Sequence, residues 1–270
     1  MSAWNAMTYE GKDTILQVVR DEAERMFAMA GAPGAWEAPT ACTEWQVRDI
    51  IGHIVDTTEG YFKAFETARA GGTAEVHGLP VMHELAGDGG RAFRSVPQAE
   101  MMSRIRNDLD KMMGILQPLS AEEWGGLMVT HAYMGPVPAF VYAGGQLMDY
   151  GVHSWDIREG IGRAHALSAD AADLLVPFMF IIWQSTIRAS ADLSPFTIGV
   201  TVTGRNAGSY RVSISDQGMA YEPGEVGDLP AVIEFDAGGL VLTAFGRING
   251  GNAYGDQALA ERFLNLFYRI

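Results

Sequence analysis

Two segments far apart in the chain hold the residues best suited to chemistry: GHIVDT, with His53, and MDYGVHSWDI, with Asp149 and His153. Asp149 and His153 are four positions apart, so on a helix both side chains leave the same face one turn from each other. With His53 they amount to two imidazoles and a carboxylate. Such a set leaves a tetrahedral Zn²⁺ with an open fourth position, the composition of a catalytic rather than a closed structural site. The same spacing also serves an acid and a histidine that only hydrogen-bond each other, so spacing alone leaves both readings open.

The elements that must position these residues read as helices. Ile15, Leu16, Val18, Val19, Met26 and Phe27 recur at helical spacing from Asp13 to about Met29, and Gly31 and Pro33 end the pattern. Thr43 suits the N-cap of a second helix from Glu44 to about Ala70, whose apolar face is Val47, Ile50, Ile51, Ile54, Thr58, Tyr61 and Phe65. His53 lies on a flank of that face, in line with Asp49, Asp56 and Gly60. The Gly-rich stretch from Gly71 to Gly90 reads as a long loop of the kind that serves as a lid or binding element, with His77 and His83 solvated in it. Val96 to Gln117 is a third helix.

Pro138 to Ile161 reads as a fourth helix, interrupted by Gly144, Gly145 and Gly151, and apolar nearly all round. Against that background Gln146, Asp149, His153 and Asp156 fall at steps of three, four and three and make one polar stripe. Buried acids and imidazoles are costly unless paired, so the stripe must face a cation, water or partner groups. Asp156 is placed to accept a hydrogen bond from the His153 imidazole. His131, in THAYMGPVP just before this helix, reads as a structural histidine or as an acid or base reaching the same cavity.

After Gly162 the character changes. A further helix, about Ala169 to Ala189, precedes β-branched segments at Thr197 to Thr203, Tyr210 to Ser215 and Ala231 to Phe235, and two short helices around Gly239 to Phe245 and Asp256 to Tyr268 close the chain. The expected fold class is α+β: a helical bundle over residues 1–162 followed by a smaller α+β domain over residues 163–270.

Composition narrows the partners. With 33 acidic against 19 basic residues, the formal charge of −14 opposes binding to nucleic-acid phosphates and to anionic membranes. The lone cysteine excludes an intramolecular disulfide and a multi-cysteine zinc site; Cys42 reads as a small buried or half-buried residue, not a nucleophile. The N-terminus lacks the basic flank and apolar run of a secretory signal, and no apolar stretch is long enough to span a bilayer, so a cytoplasmic monomer or homodimer acting on a small molecule is expected.

PTACTEWQVRDIIGHIVD, followed much later by GPVPAF and DYGVHSWDIREG, resembles the N-terminal domain of the mycothiol-dependent maleylpyruvate isomerase family, a branch of the DinB-like four-helix metal proteins. VIEFDAGGLVLTAFGR and GDQALAERF look like that family's C-terminal domain, itself similar to sterol-carrier proteins. The resemblance implies zinc held by His53, Asp149 and His153, with Asp149 standing where the family has a Glu, one methylene longer. It also implies mycothiol as a thiol cofactor binding the open metal position, and an Arg, here Arg247, near the interdomain cleft to grip a carboxylate. A surface Arg paired with Asp236 or another acid is the equal alternative for Arg247.

The leading reading is therefore a metal-dependent enzyme that activates a low-molecular-weight thiol to isomerise, or add to, a small electrophilic acid. Two others stay open: a thiol-independent metal enzyme of the same fold, and a non-catalytic protein that binds a small ligand in an apolar cavity.

Overall fold

A computed structural model describes residues 3–163 and 166–270, without the side chains of Pro80 and His83, so the expectation for His83 lies outside the described residues. The chain divides into two compact units, Met1–Leu167 and Ser168–Ile270. The sequence reading placed that division after Gly162.

In the first unit the chain runs through α1 (Lys12–Ala30), α2 (Val47–Arg69), α3 (Met82–Ala92), α4 (Gln98–Leu116), α5 (Ala121–Gly126), a hairpin of β1 (Met128–His131) and β2 (Gly135–Pro138), and α6 (Phe140–Gly160). The four long helices form the bundle, with α1 against α6 and α2 against α4 and α6. Val19, Met26, Ile50, Ile54, Ile105, Met112, Leu147 and Tyr150 fill its core.

Three expectations are corrected here. α2 begins at Val47, not Glu44, because residues 42–45 are taken up by a turn in which the Trp45 N–H donates to the Cys42 carbonyl at 2.7 Å. Its cap is Gln46, whose N–H donates to Asp49 Oδ2 at 2.9 Å. The second half of the Gly71 to Gly90 stretch is not loop but helix α3, packed on α2. Its glycines serve that packing: a Cβ at Gly90 would stand 2.7 Å from the Asp49 carbonyl oxygen, and one at Gly52 would stand 2.5 Å from that of Gly90. Finally, α6 is continuous through Gly144, Gly145 and Gly151.

The second unit contains α7 (Ala169–Ser185), β3 (Phe196–Thr203), β4 (Gly208–Ser215), β5 (Gly218–Pro223), β6 (Ala231–Asp236), α8 (Ala237–Ala244), β7 (Asn252–Gly255) and α9 (Gln257–Leu264). The five strands form one sheet in the order β5-β4-β3-β6-β7, with β3 and β6 parallel and the other pairs antiparallel. The fold is α+β. Trp183 of α7 packs edge-on to Phe263 at 5.3 Å and stacks on Phe267 at 5.4 Å. α7 stops at Ser185, short of the expected Ala189, and tolerates Pro177 in its interior. The edge strands β5 and β7 are short and carry few β-branched residues, which is why the sequence pattern does not reveal them.

Candidate metal centre

α2 brings His53 and α6 brings Asp149 and His153 to one place, where a ligand atom from each lies within 4.8 Å of the others. The imidazoles meet edge-on, with ring centres 5.3 Å apart. Their side chains and that of Asp149 keep only 12–15% of their surface, which makes the centre sheltered yet reachable.

The pairing of Asp149 with His153 as a purely structural couple is not what the side chains do. His153 turns its Nδ1 to Asp156 Oδ2, 2.8 Å away, which leaves Nε2 as its free nitrogen. Asp149 Oδ1 stands 3.7 Å from His53 Nε2, too far for a hydrogen bond. Asp149 Oδ2 is buried and has no hydrogen-bond partner among the described residues. A buried carboxylate oxygen without a donor is costly unless a cation neutralises it. Two ligand atoms held tetrahedrally at about 2.0–2.2 Å from Zn²⁺ would be roughly 3.4 Å apart, close to the 3.7 Å between Asp149 Oδ1 and His53 Nε2, so the donor set suits a divalent ion.

Around these three lies a second set of groups. Asp156 is fully buried, and its Oδ2 accepts from the Cys42 Sγ at 3.3 Å as well as meeting His153. Cys42, His153 and Asp156 therefore form another group of possible ligands sharing His153. Cys42 is half-buried, and its thiol is committed to Asp156. Trp45, which sequence reasoning missed, lies against both imidazoles, 5.1 Å from His53 and 5.8 Å from His153 between ring centres.

The segment carrying Cys42 and Trp45 is strapped to α6 by the Ala41 N–H, which donates to the Asp156 carbonyl at 2.9 Å, and is closed on itself by Thr40 Oγ1, which donates to the Trp45 carbonyl at 2.9 Å. Asp49 anchors the start of α2 beneath it. Burial pushes the Asp49 carboxyl up, but two 2.7 Å bonds from Arg94 and the Gln46 N–H outweigh this and hold it below the usual range.

His131 ends β1 among the rings of Tyr61, Tyr133 and Tyr142, each 5.8–5.9 Å away. Its Nδ1 accepts from the Tyr133 and Met134 N–H groups. Burial lowers its pKa, while the charge of Asp149 pulls the other way. Asp149 also adds to the burial that raises the Tyr61 phenol well above its ordinary value. Further along the stripe, Gln146 Nε2 donates to Thr58 Oγ1 at 3.0 Å, a buried contact between α6 and α2.

His77 is exposed and lies near Tyr133, with ring centres 6.5 Å apart. Arg247 belongs to the second unit, where its Nη1 donates to the Phe245 carbonyl at 3.1 Å and to that of Ile270. Asp236, the partner considered for it, caps α8 through the Gly239 N–H at 2.7 Å.

A four-helix bundle that brings two imidazoles and one carboxylate together from its second and last long helices, with an α+β unit after it in the chain, defines the class of protein. Residues 19–158 match the family described as the mycothiol maleylpyruvate isomerase N-terminal domain, and since this is more than half of the chain, the protein belongs to that family. The crystal structure of the mycothiol-dependent maleylpyruvate isomerase is similar over 90% of this chain and 92% of that one, with TM-score 0.59 and 14% identity. A histidine-to-alanine mutant of that isomerase is similar over the same shares, with TM-score 0.60 and 14% identity. At such identity the likeness is one of fold. No curated protein matches the chain. Among the described residues no helix is long and apolar enough to cross a membrane.

Proposed function

We propose that the protein is a metal-dependent isomerase that uses mycothiol and acts on a small electrophilic acid. The observation that carries this reading is the convergence of His53, Asp149 and His153 around a carboxylate oxygen that lacks any donor among the described residues. In this reading the three residues hold a divalent cation, most simply zinc, while Asp156 fixes the His153 ring. A cation with an open position lowers the pKa of a coordinating thiol and so supplies a nucleophile without a protein cysteine. Trp45 excludes water from one side of the imidazoles. His131 contributes on the Asp149 side.

The test is metal analysis of untagged protein, then calorimetry with mycothiol and an isomerase assay with maleylpyruvate. One metal per chain, thiol binding that requires the metal, and isomerisation are expected. Metal without thiol binding would favour a thiol-independent metal enzyme, and neither would favour a small-ligand-binding protein. In His153→Ala, stoichiometric metal should vanish while circular dichroism stays native; retention of one tight metal would refute the ligand set.

A further inference from the structure

His131 is held by contacts that an imidazole accepts in one form only. The N–H groups of Tyr133 and Met134 both reach its Nδ1, at 3.2 and 3.3 Å. A backbone amide donates and never accepts, so Nδ1 carries no proton and the neutral ring bears its proton on Nε2. Protonating Nδ1 would set a third N–H against the two amides and break both bonds. The support is local and stiff: His131 pairs with Gly135 across the hairpin, and Gly135 takes a positive φ of 76° that closes the turn carrying both amides.

Burial acts in the same direction by disfavouring the imidazolium, and it outweighs the opposing charge of Asp149; the rings around His131 are three phenols. Tyr61, Tyr133 and Tyr142 are themselves raised by burial, so they stay neutral, and the charges felt around the ring are Asp149 and, beside Tyr133, Asp56. Among the described residues no side chain or carbonyl accepts from Nε2, while its proton is fixed in direction by the bonds at Nδ1.

We propose that His131 is a neutral donor, presenting Nε2–H to an oxygen of the acidic substrate, and that it does not act as the base. A donor already in place needs no reorganisation when negative charge gathers on that oxygen. This assignment rests on reading the site as one for a small acid.

The test uses the metal-loaded, ¹⁵N-labelled full chain, with maleate, an unreactive cis-dicarboxylate, as probe. Long-range proton–nitrogen spectra should show the His131 proton on Nε2 and no titration from about pH 5 to 8, where a free histidine changes charge. The signal is assigned by its loss in His131→Gln. Maleate should shift the Nε2–H resonance and bind roughly 10–100-fold more weakly to His131→Phe, the usual effect of losing a hydrogen bond to a charged group. His131→Gln, which keeps an N–H near the Nε2 position, should retain most of the affinity. A proton on Nδ1, ordinary titration, no maleate binding by wild type, or equal affinity in His131→Phe would overturn the assignment. If His131→Phe loses its native circular dichroism, the spectra and the Gln variant decide. Wild type that binds maleate through Nε2–H yet does not isomerise maleylpyruvate would count against the proposed reaction and for the role of His131.

Discussion

The Nδ1 of His153 lies 2.8 Å from Oδ2 of Asp156, a carboxylate with no exposed surface. That contact sets which imidazole nitrogen faces His53 and Asp149. It also links the centre to Cys42, whose thiol meets the same oxygen at 3.3 Å.

Asp156→Ala should therefore weaken metal binding by about 10–100-fold without removing a ligand, as loss of an orienting carboxylate typically does. Cys42→Ser, which keeps a donor to Asp156, should stay close to wild type. Competition with a chromogenic chelator measures both, and wild-type affinity in Asp156→Ala would refute the orienting role.

Asp149→Glu should retain metal and Asp149→Ala should weaken it, because a ligand carboxylate one methylene longer can still reach the ion from the same helix. Thermal melts with and without chelator give a second readout. If chelator leaves the wild-type melting temperature unchanged while Asp149→Ala lowers it sharply, the carboxylate has a structural role only.

Gly160→Ala should loosen the strap that carries Cys42 and Trp45. A Cβ at Gly160 would stand 2.3 Å from Thr40 Cα and 2.4 Å from the Pro39 carbonyl oxygen, backbone atoms that cannot swing aside. Overpacking of this kind costs about 1–3 kcal/mol. The expected result is a lower melting temperature together with altered Trp45 fluorescence and weaker metal binding; unchanged fluorescence and affinity would show that the strap does not depend on this contact.

Asp108 on α4 predicts a pH dependence. It is 8% exposed, and its Oδ2 has no hydrogen-bond partner among the described residues. Burial, and then the charge of Glu59, raise its pKa from 3.8 to about 6. A carboxyl raised in the folded state favours folding while protonated, so its contribution is lost as pH climbs from about 4 through 6 and stays lost above. The loss is on the order of 3 kcal/mol, from about 1.4 kcal/mol per pKa unit. Asp108→Asn should thus be more stable than wild type at pH 7.5, by a margin that shrinks towards pH 5. Denaturant titrations at both pH values check this, and a margin independent of pH would rule it out.

The sequence by itself determined what depends on local periodicity. The apolar recurrence from Ile15 to Phe27 and from Val47 to Phe65 is enough for two helices, since a helix places its own residues every 100° whatever lies beyond it. For the same reason Asp149 and His153 had to share a face, and the stripe from Gln146 to Asp156 on an apolar helix had to find partners. Thr58 and Cys42 are among the partners found.

Only the tertiary structure decided which side chains from distant elements meet. The glycines around Gly90 look like loop in sequence, but against Gly52 they let two helices approach, a property of the pair that neither segment encodes alone. Trp45 reaches both imidazoles, and Cys42 reaches Asp156 across 114 residues, because the strap docks on α6 through Ala41 and Gly160. His131 owes its fixed proton to the fold of a short hairpin turn. Spacing places residues along one element; contacts between elements depend on which surfaces pack, and that is settled by the burial of the whole core.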